Sequence, residues 1–522
     1  MQPDRLSASA SLKTEEANFQ PEVHWLDKFL PPSEESGSSA LAGRAAMASL
    51  ASVRPADVLQ FLFGQLPSNV AELRSMRHRI SGLIASIDDV LCNQVNAILH
   101  HPAFQKLESS WRGLHYLWEV KRSFSSGRSG SEKNAGIEIR ILSVRKAELH
   151  KDFENAIEFD QTFLFKKIYE EEFGSPGGTP YGLLISDFEF SNHPNDIDFL
   201  SRMSGVAAAA FAPFVASASP SLLGLDDFSV LEQPINLESI FRGERYLKWR
   251  NLRRELDTRF LGLTAPRVLI RAPYGDDGSH RFGFRFREQV EGRDRRNFLW
   301  GSAAWALGAV VLRSFATAAW FADIRGVQRG VESGGLVTGL PTHPFGTDAK
   351  AASDRSSVEV QISEAREAEL CEMGFIPLLH CRDTPYSAFY GNGSVNEPEK
   401  YSNDELATAN ARLSAMLQYV LCCSRIAHYL KVKIRDRIGS QASAREIEDE
   451  LVSWIHGYVT PDDRASPEMK ARYPLRDARI EISEIPGRPG EFNMTMFLQP
   501  HYQLDQLSST ISFVASRVEL GE

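Results

Sequence analysis

At 522 residues the chain has room for two or three domains and a sizeable core, with 43% hydrophobic and 24% charged residues in ordinary globular proportion. A formal net charge of −10 argues against a general nucleic-acid binder. Five cysteines (Cys92, Cys371, Cys381, Cys422, Cys423) without a CxxC pair suit a reducing compartment better than a disulfide-stapled fold.

Residues 1–70 are rich in Ser, Ala, Glu and Pro, with no charged-then-apolar order of a signal peptide. Two short apolar pieces stand there, Trp25-Leu26 with Phe29-Leu30, and Val58-Leu59 with Phe61-Leu62. The region reads either as a solvated tail or as an arm that docks on another subunit.

A helical hairpin follows. Ile80, Leu83, Ile84, Ile87, Leu91, Val95, Ile98 and Leu99 keep helical spacing up to His100-His101-Pro102. Pro102 ends one helix and suits the first turn of the next. The second helix carries Phe104, Leu107, Trp111, Leu114 and Trp118 on one stripe. Two such stripes demand a large partner surface, which the rest of the chain is expected to supply.

Beyond a Ser/Gly-rich loop, Ile137–Val144 (IEIRILSV) alternates and reads as a strand. Lys146–Asn155 and Phe163–Phe173 read as helices, and GSPGGTP feeds a strand over Tyr181–Ser186. Asp187, Glu189, His193 and Asp196 fall close together but match no helix-borne metal spacing; SNHPNDIDFL reads as turn, cap and helix start. The alanine-rich Val206–Ser219 reads as close packing. The basic stretches Arg242–Arg259 and His280–Arg296 interleave acids and read as solvated faces or subunit contacts, with a strand at Arg267–Ile270 between them. Leu299–Ala322 is apolar but interrupted by Arg313, and its small residues suit a buried helix rather than a membrane span of about 20 uncharged residues. A helix over Glu364–Met373 leads to a strand over Phe375–Cys381. Ser402 with Glu405 forms a capping box for a helix carried to Ile438, and Ser443 with Glu446 forms another, whose helix buries Ile447, Leu451, Trp454, Ile455 and Tyr458. The end is β: Ala478–Ile485, Phe492–Leu498 and Ser509–Val518, with little chain left to cover the edges.

Catalytic signatures are weak. Ser143 and Lys146 match SxxK without its companion motifs, and the glycine loops lack the GxGxxG spacing or a Walker lysine. His100-His101 read as helix-corner residues and Cys422-Cys423 as core. No set assembles nucleophile, base and orienter, so no cofactor, metal or catalytic residue is expected.

HHPAFQKLESSWRGLHYL (from His100) resembles the signature of the large sheath subunit of bacterial type VI secretion systems, the TssC/VipB family. GGTPYGLLISDFEFSNHPNDIDFL (from Gly177), VAAAAFAPFVASASPSLLGLDDF (from Val206), YLKWRNLRRELDTRFLGLTAPRVLIRAPYG (from Tyr246), FLWGSAAWAL (from Phe298), GFIPLLHCRDTPYSAFYGN (from Gly374) and QPHYQL (from Gln499) continue it in order. The resemblance implies a multi-domain α/β (α+β) contractile-sheath fold and a structural role. Expected divisions are an arm over 1–70, the hairpin over 71–122, a central α/β domain over 123–370 and a C-terminal domain over 371–522.

By the same resemblance the partners are a TssB/VipA-like small sheath subunit, further copies in a helical polymer, an Hcp-like inner tube, a baseplate and a ClpV-like unfoldase, in the bacterial cytoplasm, with no nucleic acid and no membrane insertion. The small subunit is expected on Leu91, Val95, Leu99, Phe104, Leu107 and Trp111. Inter-subunit strand pairing is expected from Val58, Leu59, Phe61, Leu62, Phe492, Met494, Met496, Leu498, Ile511 and Phe513, and inner-tube contact from Glu446, Glu448, Asp449 and Glu450. The sheath of another phage-tail-like particle, and a cytosolic enzyme of unknown class, stand as alternatives.

Overall fold

The computed structural model describes residues 69–125, 136–174, 178–275, 286–290, 295–327, 330–345, 355–402, 404–435, 444–462, 464–484 and 492–501, and the backbone of 511–518. Two compact units divide it, Met1–Ile87 and Asp88–Glu522; the first is described only at 69–87. The apolar pieces at Trp25–Leu30 and Val58–Leu62, and the capping residue Ser443, lie outside the described residues.

The hairpin forms as its spacing predicts. Helix α1 spans Val70–Leu99 and α2 spans Pro102–Ser125, with Pro102 opening the second helix. His101 serves the corner: its Nδ1 accepts from the Ala103 amide at 3.3 Å.

Ile137–Val144 differs from expectation. It joins no sheet and makes no backbone–backbone hydrogen bond among the described residues. Intrinsic preference for a strand is there, but among the described residues no strand pairs with it to complete a ladder. Helix α3 (Lys146–Asn155) follows, and a helical stretch over 163–174 contains a π turn at Lys166–Glu170.

The central sheet is built from β1 (Leu184–Phe190), β2 (Phe214–Ala218), β3 (Leu261–Ala265), β7 (Ile376–His380), β8 (Ser387–Phe389) and β6 (Leu336–Val337), in that spatial order. The first four are parallel, and β8 pairs antiparallel with β7 and β6. β1 begins later than Tyr181 and runs on past Ser186 to include Asp187 and Glu189.

Alternation divides the strands between two cores. Phe214, Ala216 and Ala218 face the side built with α4 (Pro194–Ala209), α5 (Leu237–Arg242) and α6 (Leu247–Arg254), where fully buried Trp249 stacks on Phe375 at 5.6 Å. Val215 faces the other side, filled by α7 (Ala303–Ala318), with Ile376 and Leu378 of β7. A two-stranded ribbon of β4 (Val268–Arg271) and β5 (Leu299–Gly301) leads into α7.

Helix α7 is buried, as its composition predicts. Gly308 lets Ile185 of β1 and Leu117 of α2 approach, and a Cβ there would collide with Ile185. Gly113 of α2 admits the Trp305 indole in the same way. Arg313, the charge that interrupts the apolar run, donates to the backbone carbonyls of Leu336 (2.5 Å) and Gly334 (2.6 Å), so its buried guanidinium is satisfied within the fold.

Helix α8 (Glu364–Glu372) precedes β7. The run from Leu406 to Ile438 is not one helix. It divides into α9 (Glu405–Ser414) and α10 (Leu417–Arg435), because the loop at Asn392–Ser394 takes the backbone groups at the break: Leu417 N donates to Asn392 O and Ser394 N to Ala415 O. Asp404, not Ser402, caps α9 by accepting from the Ala407 amide at 2.9 Å.

Helix α11 (Ala444–His456), α12 (Pro467–Arg472) and the antiparallel strands β9 (Leu475–Glu484), β10 (Phe492–Pro500) and β11 (Ile511–Val518) complete the chain, ordered β11-β10-β9. Leu451 and Ile455 of α11 and Ile426 and Leu430 of α10 pack on Ile480, Met494, Met496 and Leu498.

Gly113→Leu places a branched side chain where the indole lies. The expected overpacking cost of about 1–3 kcal/mol exceeds the roughly 1 kcal/mol that replacing a helical glycine returns. Thermal unfolding should therefore begin several degrees lower.

Candidate interaction surfaces

The hairpin turns the wrong face inward by the measure of hydrophobicity. Gly113 and Leu117 of α2 pack on α7, and the Tyr116 hydroxyl donates to Thr338 O at 2.7 Å. The Trp-bearing stripe faces out: Leu107, Trp111 and Trp118 are 56%, 65% and 53% exposed, Phe104 and Leu91 are exposed, and Val95 and Leu99 are half-buried. The expectation that the rest of the chain covers this stripe is corrected: glycine-permitted closeness, unavailable on the Trp face, decides which side packs.

Charge locks that orientation. Glu108 Oε1 accepts from Arg112 Nε at 2.7 Å and Arg271 Nε at 2.9 Å, and the Arg271 fork grips Glu288 at 2.6 and 3.0 Å. The Tyr274 amide also donates to Glu288, and His100 Nε2 lies 3.4 Å from it. Burial alone would push the Glu288 carboxyl up; the Arg271 fork and the Tyr274 amide reverse this and hold it below the ordinary glutamate range. Asn96 pins α1 to the irregular segment that carries Glu288, donating to Arg287 O and accepting from the Gln289 amide at 2.9 Å.

The four sequence-proximal metal candidates separate. Asp187 accepts from the Ser110 hydroxyl, His193 caps α4 by accepting from the Asn195 amide, and Glu189 lies 3.9 Å from Arg267. Asp196 pairs with Lys146 at 2.7 Å, which also occupies the lysine of the SxxK match.

In the C-terminal sheet β10 is the central strand, hydrogen-bonded to β9 on one side and β11 on the other. Met494, Met496 and Leu498 are buried against α10 and α11. Their expected inter-subunit pairing is thereby narrowed: the backbone of Phe492–Leu498 is already paired within the chain. Ile511 and Phe513 sit opposite Leu498 and Met496 on β11. The outer edge of β9 is guarded at both ends. Thr460 N donates to Leu475 O at 2.9 Å, and Glu448 Oε2 accepts from the Ile482 amide at 3.2 Å. Glu448 thus leaves the expected acidic face, on which Glu446, Asp449 and Glu450 are exposed.

A cavity of about 220 Å³ lies between Arg325, Gln418, Cys422, Lys470 and His501. Burial pushes the Cys422 thiol up to about 12, so it keeps its proton and is a poor nucleophile there.

The end of α10 reaches the helical stretch 163–174. Lys431 Nζ lies 5.0, 5.1 and 4.6 Å from the ring centres of Tyr169, Phe173 and Phe211. Beside it the buried His428 Nε2 meets Ala210 O at 3.0 Å. The apolar stripe of the second helix was legible from residue spacing; the charge lock, the guarded strand edge and the ring cage were not.

Two family descriptions match in tandem: the EvpB/VC_A0108 tail sheath N-terminal domain (VipB) over residues 81–396, and the EvpB/VC_A0108 tail sheath gpW/gp25-like domain over 406–517. The chain is 42% identical over 439 residues to the type VI secretion system sheath protein TssC1 of Pseudomonas aeruginosa, covering 84% of this chain and 85% of the relative. Remote likenesses include a chain of the anti-feeding prophage baseplate (TM-score 0.35, 10% identity, 71% of this chain and 81% of that one). Another is a sheath tail protein of Desulfitobacterium hafniense (TM-score 0.27, 6% identity, 61% and 60%).

Burial is the main cause that lowers the His428 pKa from 6.5 to about 4, against the opposing Ala210 hydrogen bond. Between these values the unfolded chain binds the proton that the folded chain refuses, so stability falls as pH drops through this window, by about 3 kcal/mol in all. Unfolding midpoints followed from pH 7 to pH 4 should decline less in His428→Gln than in the parent.

With both sheath domains matched in order and a close relative spanning most of its length, the chain belongs to the VipB/TssC family of type VI secretion tail-sheath proteins.

Proposed function

We propose that the chain is the large subunit of a type VI contractile sheath, a structural protein that pairs with a TssB/VipA-like small subunit and polymerises with it in the bacterial cytoplasm. The observation that carries the pairing is the outward apolar stripe of α2, with Leu107 and Trp111 more than half exposed on a helix whose other face is already packed. Leu91, Val95, Leu99 and Phe104 extend the same contact. In this reading the hairpin over 71–122 holds the small subunit, 1–70 is a docking arm, 123–370 forms the body together with β7 and β8 from the start of 371–522, and the remainder of 371–522 carries the inter-subunit strands.

The polymer encloses an Hcp-like inner tube, grows from a membrane-anchored baseplate and drives the tube out on contraction. The exposed carboxylates Glu446, Asp449 and Glu450 face that tube. A ClpV-like unfoldase recycles the sheath and hydrolyses ATP; this chain holds no cofactor and catalyses no reaction. The strand stitch between neighbours uses the outer edge of β11 rather than β10, because β10 is already paired on both sides and β9 is guarded by Glu448. The arm segment Val58–Leu62 is its partner.

Co-expression with the cognate small subunit should give hollow tubules in negative stain that require both proteins. A soluble monomer indifferent to the small subunit overturns the reading. Leu107→Glu combined with Trp111→Glu lies on exposed surface and should leave the fold near parental stability, while small-subunit capture falls tenfold or more, as for removal of interface anchors worth about 2 kcal/mol. Ending the chain at His501 removes β11 and should abolish pelleting of the polymer while retaining the small subunit.

A further inference from the structure

Lys431, near the end of α10, is held by rings rather than by an anion. Its Nζ stands 5.0, 5.1 and 4.6 Å from the ring centres of Tyr169, Phe173 and Phe211, and 3.4 Å from the Tyr169 hydroxyl. Among the described residues no carboxylate forms an ion pair with it; on the facing helical stretch Glu171 is taken by Lys167 and Glu172 by Arg140. Two uncommon backbone forms bring the rings there. Tyr169 belongs to the π turn at Lys166–Glu170, and Phe211, just past α4, has a φ of 49°, in the left-handed region that bulky residues rarely adopt.

The cage has a floor and an open side. His428, one turn earlier on α10, is buried, and its Nδ1 has no hydrogen-bond partner among the described residues. Lys431 and the three rings are only half-buried, so solvent reaches the rim. The charged neighbour on α10 is Arg425, itself a cation, stacked on Tyr429 and Phe315. Rings attract an ammonium less strongly than the water they displace. Burial accordingly lowers the Lys431 pKa from 10.5 to about 8. Near pH 7.5 roughly a quarter of these side chains then carry a free amine, against about one in a thousand for an ordinary lysine. A desolvated lysine of this kind is an activated nucleophile.

We propose that Lys431 is a modification site, whose caged amine takes an acyl group from small acyl phosphates without an enzyme. The Nζ lone pair attacks the acyl carbon and forms the amide bond. The bond from that carbon to the phosphate oxygen breaks, phosphate leaves with the electron pair, and the nitrogen sheds one proton to water. The product is neutral, so the cage no longer encloses a cation without an anion. Lys431 lies in the second matched sheath domain and the three rings in the first, so acylation firms the contact between the two. The site is independent of the pairing surface on α2.

Incubating the full chain with a limiting amount of acetyl phosphate, and reading each lysine by peptide mass spectrometry, tests this. Lys431 should be acetylated about tenfold faster than the exposed Lys151 and Lys400, weaker basicity offsetting part of the gain in free amine. Its rate should level off by about pH 9 while theirs still climbs. Equal rates, or rates that climb in parallel, overturn the proposal. Phe173→Ala opens the cage to water and should return Lys431 to the rate and pH profile of the exposed lysines; unchanged reactivity overturns the cage as its cause. Lys431→Met should unfold several degrees above the parent at pH 7, because the folded parent there carries a desolvated ammonium. That gap should close between about pH 8 and pH 10.5, where the folded parent has shed the proton and the unfolded chain still binds it. A gap that is absent or constant with pH overturns the proposal, and a gap that closes without acetylation at Lys431 overturns the modification and leaves a desolvated cation alone.

Discussion

The close approach of α2 to α7 is the constraint on which the arrangement depends. It is possible only because Gly113 has no side chain where the Trp305 indole lies, and because Gly308 yields the same space to Ile185 and Leu117. Buried area would favour the Trp111 and Trp118 face of α2, which carries far more apolar surface. Gly113 however leaves room for the Trp305 indole directly against the α2 backbone, and Gly308 does the same for Leu117 and Ile185, so large side chains of one element fill the glycine gaps of the other. The outward display of the apolar stripe follows from this single choice.

Electrostatics then removes the alternative. Glu108 sits on the inward face of α2 and reaches Arg271, whose fork is completed by the buried Glu288. Rotating α2 to bury the tryptophans would withdraw Glu108 from Arg271 and leave Glu288 as that guanidinium's remaining carboxylate partner, a loss that adds to the packing preference. The same logic holds Arg313 within an otherwise apolar helix: its guanidinium meets the two carbonyls that begin β6. Polar atoms in this core are fixtures that set orientation.

At the other end of the chain, edges rather than faces matter. β10 is enclosed by its neighbours, and β9 has its outer amide at Ile482 taken by Glu448. An acidic residue that looks solvated in the sequence is spent on closing a strand edge.

Much of the fold was legible in the residues. Periodicity marked α1, α2, α11 and the three C-terminal strands, since 3.6- and 2-residue repeats are local properties of a chain packed on one face. Composition marked α7 as buried, and a resemblance distributed in order along the chain marked the family. The sequence could not say where a helix pattern is cut, because the break between α9 and α10 is made by a loop some twenty residues upstream. Nor could it tell a paired strand from an unpaired one, since IEIRILSV looks the same in either state and the ladder belongs to two strands at once. By itself the sequence determined which segments are amphipathic and which family they compose. Only the tertiary structure decided which apolar face is consumed inside and which is left for a partner, because that choice turns on the closest distance two surfaces can reach and on where buried charges find their mates.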